Sequence, residues 1–180
     1  MNILVIGHKG YVGKGLMSFW KHKHLLFGWD KEEDIFTLTS HFLHERKIKA
    51  VVNLSVMADR TSPLYQLDSP TDKVNVESVR FLARLLKGTN IAWIQMSTRE
   101  VFGLVYKKQD VFLTKNGYRP KWLVHEEWPY HPLNCYAKSK VVTEIISESH
   151  PFTNIIRLSS CYTDFNHQGG NWVLQIIKNV

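Results

Sequence analysis

The sequence predicts an α/β protein, a doubly wound parallel sheet with helices on both faces. Short apolar runs rich in Val, Ile and Leu alternate with segments whose apolar residues recur at helical spacing. A glycine-rich turn separates the first apolar run from the first helical segment. Such βαβ alternation is typical of a parallel sheet that helices cover on both sides.

Five strands are predicted, the first of them an apolar run of the kind that lies buried on both faces of a parallel sheet. The strands are predicted at residues 2–6, 25–30, 50–54, 91–96 and 154–159. A helix carrying Val12, Leu16, Phe19 and Trp20 follows the glycines, and further helices are predicted at 40–48, 69–87 and 134–149. Residues 104–131 break the alternation and predict a long irregular insertion over the sheet's edge, with room for a hairpin.

Composition and charge narrow the classes of protein. The 180 residues are 44% hydrophobic, enough to bury one core, so a single domain over residues 1–180 is expected. The net charge of +7 favours anionic partners, but Lys and Arg are scattered, which argues against nucleic acid. The two cysteines form no metal or disulfide pattern, and no apolar run reaches the ~20 residues of a membrane span. The expectation is a soluble, cytoplasmic protein with no metal site and no membrane partner.

The glycine-rich turn is the first candidate binding site. Gly7, Gly10 and Gly13 lie between the first strand and the first helix. Such a turn lets the backbone approach a pyrophosphate closely, and the helix that begins at Tyr11 and Val12 offers its N–H groups and positive dipole end to the anion. The sequence therefore predicts a dinucleotide site here, with a tight turn that binds nothing as the alternative.

The second strand ends in an acid at the distance that a dinucleotide site requires. Asp30 lies about 20 residues beyond the glycines, where a carboxylate accepts hydrogen bonds from the adenosine ribose. Lys31 follows it and is suited to a 2′-phosphate. The cofactor is therefore predicted as NAD or NADP, with the choice left open.

Polar residues also follow the other predicted strands. Asn53, Leu54 and Ser55 come at the end of the third strand, and Ser97 and Thr98 follow the fourth. In an open α/β sheet the ligand lies outside the carboxyl ends of the strands, where the strand order reverses. We therefore expect one crevice to collect these residues together with the glycine turn.

The stretch "PLNCYAKSK" places Tyr136 and Lys140 four residues apart in a predicted helix. Residues at this spacing share one helix face, so an ammonium can stabilise the phenolate and lower the tyrosine pKa towards neutral. A tyrosine tuned in this way can transfer a proton to or from a substrate oxygen. The same spacing also occurs by chance in many helices.

These segments together resemble the extended short-chain dehydrogenases/reductases, a Rossmann-like family. "GHKGYVG" has that family's Gly-x-x-Gly-x-x-Gly spacing and "YAKSK" its Tyr-x-x-x-Lys. The closest similarity is to the dTDP-4-dehydrorhamnose reductases, whose Ser-Thr-Asp-Tyr-Val-Phe segment "STREVFG" resembles. "PLNCYAKSKVVTE" is similar to their Pro-Leu-Asn-Val-Tyr-Gly-x-x-Lys-x-x-x-Glu. Arg99, Glu100 and Thr37 depart from the family pattern.

The resemblance implies roles for individual residues. Tyr136 would protonate the oxygen of a sugar ketone, Lys140 would lower the tyrosine pKa and hold the nicotinamide ribose, and Thr98 would hydrogen-bond the reacting oxygen. Asn75 matches a helix asparagine of the family. The implied substrate is a nucleotide sugar linked to dTDP or UDP, and the implied activity is 4-keto reduction.

Two alternatives stay open within the resemblance. The first is an epimerase or dehydratase of the same superfamily, and the second is a non-catalytic dinucleotide-binding regulatory subunit. Family members are longer than this chain, and much of their substrate pocket lies in the additional portion. A homo-oligomer or a completing subunit is therefore the expected partner besides the substrate.

Overall fold

The computed structural model describes residues 1–58, 71–103, 111–114, 117–120 and 126–159. The strands of the main sheet are β1 (Asn2–Ile6), β2 (Leu25–Trp29), β3 (Ala50–Asn53), β4 (Ala92–Thr98) and β7 (Thr153–Leu158), and those of a hairpin are β5 (Val111–Thr114) and β6 (Gly117–Pro120). The main sheet is parallel with the order β2-β1-β3-β4-β7, which confirms the predicted fold class. The hairpin strands pair antiparallel within residues 104–131.

The predicted strand positions are confirmed to within one or two residues. The largest difference is at β4, which continues through Ser97 and Thr98 because both pair in register with β7. These two residues are therefore the last of the strand rather than the start of the following loop. Residues 160–162, which follow the last predicted strand, lie outside the described residues.

In the described part of the chain, four α-helices connect the strands. They are α1 (Tyr11–Trp20), α2 (Ser40–Glu45), α3 (Ser78–Leu86) and α4 (Cys135–Ser147). Thr39 caps α2 and Asn134 caps α4, each accepting a bond from a first-turn backbone N–H. One π-helical segment, Asp72–Glu77, precedes α3, so the helix predicted at 69–87 has two parts where it is described.

The helix α2 ends earlier than predicted. Lys47 has a φ of 49°, in the left-handed region, and the Ile48 N–H donates to the Leu43 carbonyl at 2.9 Å. This pattern is a helix-terminating Schellman turn. The apolar residue Ile48, which made the helical pattern look longer, instead packs into the core as a separate anchor.

Alternate residues of the strands face two core clusters on opposite sides of the sheet. Leu4 and Val51 pack with α2 and α3 on one side, whereas Val5 and Val52 pack with α1 on the other. Helices on both faces are therefore confirmed. In α1, the residue Phe19 is 71% exposed, so its expected place in the apolar stripe is wrong, and it lies under the Lys23 ammonium instead.

The strand order reverses at β1, which lies between β2 and β3. In a sheet of this order the crevice at the carboxyl ends of β1 and β3 is the switch point at which ligands bind. The glycine turn that follows β1 and the segment that follows β3 both lie at this crevice. No helix in the described part of the chain is long and apolar enough to cross a bilayer.

Candidate functional site

The three glycines of the turn have three different structural roles. Gly7 has a φ of 80°, and a Cβ there would lie 3.0 Å from the backbone of Leu54 and Ser55. A Cβ at Gly13 would lie 2.3 Å from the Gly7 carbonyl oxygen, so only glycine lets α1 pack against the turn. Gly10 is the N-cap of α1 and lines the crevice. This division of roles is that of a dinucleotide-binding turn.

The start of α1 faces this crevice without a side-chain cap. Gly10 has no side chain that could accept from the first-turn N–H groups, which have no partner within a helix. Of the two first-turn residues predicted for the site, Val12 packs its side chain on the core and Tyr11 is half-buried. The part of these residues suited to an anion is therefore the backbone at the positive end of the helix dipole.

A cavity of about 750 Å³ lies at the switch point. Its apolar walls include Ile35, Phe36, Val56 and Val74. The sequence did not predict these four residues, because they lie in a short 3₁₀ helix, a loop and a π-helix, which have no clear sequence pattern. Six predicted site residues line the same cavity, namely Gly7, Gly10, Asp30, Lys31, Leu54 and Ser55.

Asp30 holds the glycine turn from the end of β2. Its Oδ2 accepts from the Lys9 backbone N–H at 2.7 Å, and its Oδ1 accepts from the Lys31 backbone N–H at 2.9 Å. Burial acts to raise the pKa of Asp30, but these backbone donors and the nearby positive charges outweigh it and hold the pKa below its usual range. A carboxylate can accept about four hydrogen bonds, so Asp30 retains capacity for ribose hydroxyls.

His8 and Gly28 form a contact that sequence reasoning missed. A Cβ at Gly28 would lie 2.6 Å from the His8 ring, so glycine in β2 makes room for the imidazole. The His8 Nδ1 lies 3.7 Å from Asp30 Oδ2. A glycine inside a strand pattern often marks such a close approach, and this was the signal that could have revealed the contact.

Asn53 lies beneath the crevice rather than in its wall. It is fully buried, and its Nδ2 donates to Gln95 Oε1 at 3.0 Å. Its Oδ1 accepts from the Ser55 backbone N–H and, at 2.6 Å, from the Ser55 hydroxyl. Asn53 thus shapes the turn whose next residues, Leu54 and Ser55, line the cavity.

Asn75 joins this turn to the helix that carries the predicted catalytic pair. Its Oδ1 accepts from the Met57 backbone N–H at 2.8 Å, and its Nδ2 donates to the Met57 carbonyl at 3.1 Å. The same Nδ2 donates to Ser139 Oγ at 2.8 Å, between Tyr136 and Lys140 on α4. Asn75 is 1% exposed, and its bond to Ser139 is buried.

The three predicted catalytic residues are buried around the end of β4. Thr98 accepts a bond of 3.3 Å from the Glu100 backbone N–H, which caps the short 3₁₀ helix Arg99–Phe102. Tyr136 lies one helical turn before Lys140, whose Nζ donates to the Met96 carbonyl at 3.1 Å. Burial lowers the pKa of Lys140 to about 8, against the charge of Glu144, which raises it. The lysine is therefore mainly protonated at neutral pH.

The predicted residues fall into two groups along the carboxyl edge of the sheet. The cavity gathers the glycine turn, Asp30 and Ser55, whereas Thr98, Tyr136 and Lys140 lie beyond its lining, at β4 and α4. Asn75 is the link between the groups. Within the described ranges, no cluster of three His, Cys, Asp or Glu side chains could hold a metal ion.

The sheet order and the glycine turn define a protein with a Rossmann-like fold. Within that class the chain belongs to the RmlD substrate-binding-domain family, whose sequence model matches residues 1–180. No curated protein matches the chain.

Solved structures share this fold at low sequence identity. The dTDP-4-dehydrorhamnose reductase of Clostridium acetobutylicum is 23% identical, with a TM-score of 0.77. The dTDP-4-dehydrorhamnose reductase of Bacillus anthracis, solved in complex with NADP, is 17% identical, with a TM-score of 0.76. Both comparisons cover 99% of this chain and 59% of the reductase, so the chain spans less than two thirds of these relatives.

A third solved structure differs in its activity. The UDP-glucuronic acid 4-epimerase of Bacillus cereus, solved with UDP-glucuronic acid and NAD, is 20% identical, with a TM-score of 0.69. That comparison covers 87% of this chain and 56% of the epimerase. The same fold therefore accompanies both reductases and an epimerase.

Proposed function

We propose that the protein is an NAD(P)-dependent oxidoreductase of nucleotide sugars, a 4-keto reductase of the dTDP-4-dehydrorhamnose reductase type. The observation that carries the proposal is the placement of Lys140, buried one helical turn from Tyr136 and bonded to Met96 near the end of β4. Lysine is almost never fully buried unless it is paired, so this placement distinguishes Lys140 from a lysine on the surface of a helix. Family membership and the substrates named for the related structures support the same reaction class.

The residues at the switch point fit a dinucleotide. Gly10 lines the cavity at the uncapped start of α1, and without a side chain there a pyrophosphate can approach the backbone. Asp30 and Ser55 line the cavity with oxygen atoms suited to ribose hydroxyls, and Phe36 and Val56 supply apolar walls for adenine. The cavity volume of about 750 Å³ is within the range of small-molecule sites.

The chemistry divides between the cofactor and this chain's own residues. When bound, the reduced nicotinamide supplies a hydride to the carbonyl carbon of the keto sugar. Tyr136 donates its phenolic proton to the ketone oxygen, so the C=O bond becomes an alcohol. Lys140, protonated below about pH 8, stabilises the phenolate that remains. Thr98 fixes the 3₁₀ helix beside the ketone and donates its hydroxyl to the same oxygen.

Tyr136→Phe tests the proposal because it removes the proton donor and leaves the ring in place. We expect reduction of dTDP- or UDP-linked 4-keto sugars to fall roughly 10²- to 10⁴-fold, with dinucleotide affinity unchanged. Oxidation of the reduced cofactor and product analysis provide the measurements. A product that is epimerised or dehydrated without net cofactor oxidation would favour the alternative activities of the superfamily.

Two results would contradict the proposal. One is the absence of dinucleotide binding to the wild-type protein at millimolar concentration. The other is an equal rate of sugar reduction for wild type and Tyr136→Phe, which would favour a dinucleotide-binding subunit without turnover. Binding should be measured first, by the fluorescence of the reduced cofactor, so that these two results are distinguished.

A further inference from the structure

A buried carboxylate outside the predicted site lies directly behind it. Glu144 is fully buried on α4, one helical turn after Lys140. The Ser97 hydroxyl donates to its Oε1, and the Tyr130 hydroxyl donates to its Oε2 at 2.8 Å. Arg157 donates from Nε to Oε1 at 3.0 Å and from Nη2 to Oε2 at 2.6 Å. Four donor groups therefore surround one carboxylate that has no contact with water.

These donors come from three different parts of the fold. Ser97 precedes Thr98 at the end of β4, Arg157 lies in β7, and Tyr130 lies in the segment that leads into α4. The Arg157 guanidinium also stacks over the Phe102 ring, with its Cζ 5.0 Å from the ring centroid. A shift of α4 along the sheet would therefore break bonds on every side of Glu144.

We propose that Glu144 is a positioning residue for catalysis, which fixes Lys140 relative to the end of β4 and supplies the counter-charge of its ammonium. This inference rests on the proposed function, because it assigns Lys140 a role in the reaction. The bond between Ser97 and Glu144 joins the strand that bears Thr98 to the helix that bears Lys140. Tyr136, Lys140 and Thr98 thus share one rigid support.

The charge of Glu144 also acts on the Lys140 ammonium in the interior. Two cations, Lys140 and Arg157, and one anion, Glu144, lie in this part of the interior. Glu144 is the charge that acts to keep Lys140 protonated, while burial acts against it. The titratable groups nearest to this pair in the described ranges are Tyr130, whose pKa burial and Glu144 raise to about 12, and Tyr136. Tyr130 therefore stays neutral over the range in which Lys140 titrates.

Glu144→Gln keeps the shape of the side chain and removes its charge. The test follows Lys140 directly, by NMR of protein labelled at the lysine ε-carbon, between about pH 6 and pH 10. The Lys140 signal is assigned by its loss in Lys140→Met. We expect its titration midpoint to fall on the order of one pH unit, because an opposite charge one helical turn away has been removed.

A matched control and a double variant accompany Glu144→Gln. Glu148→Gln removes a charge from an exposed position one turn further along α4 and should leave the midpoint unchanged. If Arg157 without its partner prevents folding of Glu144→Gln, the double variant Glu144→Gln/Arg157→Met removes the buried pair together, which proteins often tolerate. The midpoint is expected to fall there too, because Glu144 raises the pKa of Lys140, but by less, because the like charge of Arg157 has also been removed.

Ser97→Ala tests the positioning half without altering any charge. It should displace the Lys140 ε-carbon signal and lower kcat more than it raises KM. An unshifted Lys140 midpoint in a folded variant lacking Glu144, or an undisturbed Lys140 signal in Ser97→Ala, would overturn the inference. The NMR readout needs no turnover, so an inactive wild-type protein would contradict the proposed function while the coupling of Glu144 to Lys140 is still decided.

Discussion

The Nδ2 atom of Asn75 donates a 2.8 Å hydrogen bond to the hydroxyl of Ser139, so one amide joins the loop after β3 to the helix of Tyr136 and Lys140. The same amide group makes both hydrogen bonds to the Met57 backbone. The proposed adenosine side of the crevice and the proposed catalytic side are therefore joined by Asn75, which is not itself a proposed catalytic residue.

Asn75→Ala should destabilise the protein and weaken dinucleotide binding together. It removes both hydrogen bonds to the Met57 backbone and the bond to the Ser139 hydroxyl, which keeps its bond to the Tyr136 carbonyl. The loss of these bonds costs about 1–3 kcal/mol of unfolding free energy. Thermal unfolding and a cofactor titration provide the measurements. Asn90→Ala, at an exposed position between α3 and β4, is the control and should change stability by less than about 0.5 kcal/mol. Equal effects of the two variants would contradict this role.

The second prediction compares the effects of alanine at Gly13 and at Gly88 on dinucleotide binding. A Cβ at Gly13 meets the backbone at 2.3 Å, whereas a Cβ at Gly88 meets nothing within 4 Å, although Gly88 has a φ of 75°. Gly13→Ala must therefore displace α1 from the turn and should weaken dinucleotide binding at least tenfold. Gly88→Ala should show only backbone strain of roughly 1 kcal/mol, with unchanged binding.

Measuring both affinities alongside thermal stability separates strain from displacement of the turn. If Gly13→Ala binds the dinucleotide as tightly as wild type, the turn is not the pyrophosphate site.

The third prediction concerns the effect of Asp30 on the relative affinity for NADH and NADPH. Glu33 and Asp34 line the cavity with Asp30, so its carboxylates outnumber Lys31, the cation in the lining that would favour a 2′-phosphate. We expect NADH to bind more tightly than NADPH, and Asp30→Ala to narrow the ratio of the two dissociation constants. The variant should also loosen the turn, because the Lys9 backbone N–H loses its acceptor.

Glu32→Gln is the matched control for Asp30→Ala. Glu32 pairs with the Lys9 ammonium at 2.9 Å on the surface and does not line the cavity. Its neutralisation should leave the ratio of dissociation constants unchanged. A ratio that is also unchanged in Asp30→Ala would place Asp30 outside the ribose site.

The parts of the fold that the sequence predicts are those that depend on local pattern. Strand positions and the glycine turn follow from runs of apolar residues and from spacing. The burial of the Asn53 side chain cannot be predicted in this way. It depends on Gln95, which is 42 residues away in the sequence and accepts a hydrogen bond from the Asn53 amide. The exposure of Phe19 likewise depends on where α1 meets the sheet and not on the helical period.

The hydrogen bonds around Glu144 could not be predicted from the sequence. The resemblance contained a glutamate four residues after the lysine, but its partners Ser97 and Arg157 lie on two different strands. Only the parallel pairing of β4 with β7 brings those two residues to the same position along the sheet. Residues that pair across the fold in this way carry no local signal.

The burial of Lys140 leads to the last prediction, because it makes stability depend on pH. Below about pH 8 the lysine is charged in both the folded and the unfolded chain, and the folded chain carries the burial penalty. Between about pH 8 and the ordinary value of 10.5, the folded chain has released the proton and the unfolded chain still binds it. Since the unfolded state then binds more protons, the contribution of Lys140 to the unfolding free energy rises with pH across this window.

Lys140→Met should therefore stabilise the protein at pH 7 while it abolishes the proposed reaction. The lowered pKa corresponds to about 3 kcal/mol, and loss of the bond to the Met96 carbonyl offsets about 1, which leaves a gain of about 2 kcal/mol. Denaturant unfolding at pH 7 and at about pH 10 measures it, and the gain should shrink at the higher pH. Lys138→Met, at an exposed position on the same helix, should change stability by less than about 0.5 kcal/mol at either pH. A loss of stability in Lys140→Met at pH 7 would mean that the buried ammonium holds the fold together rather than being retained for chemistry.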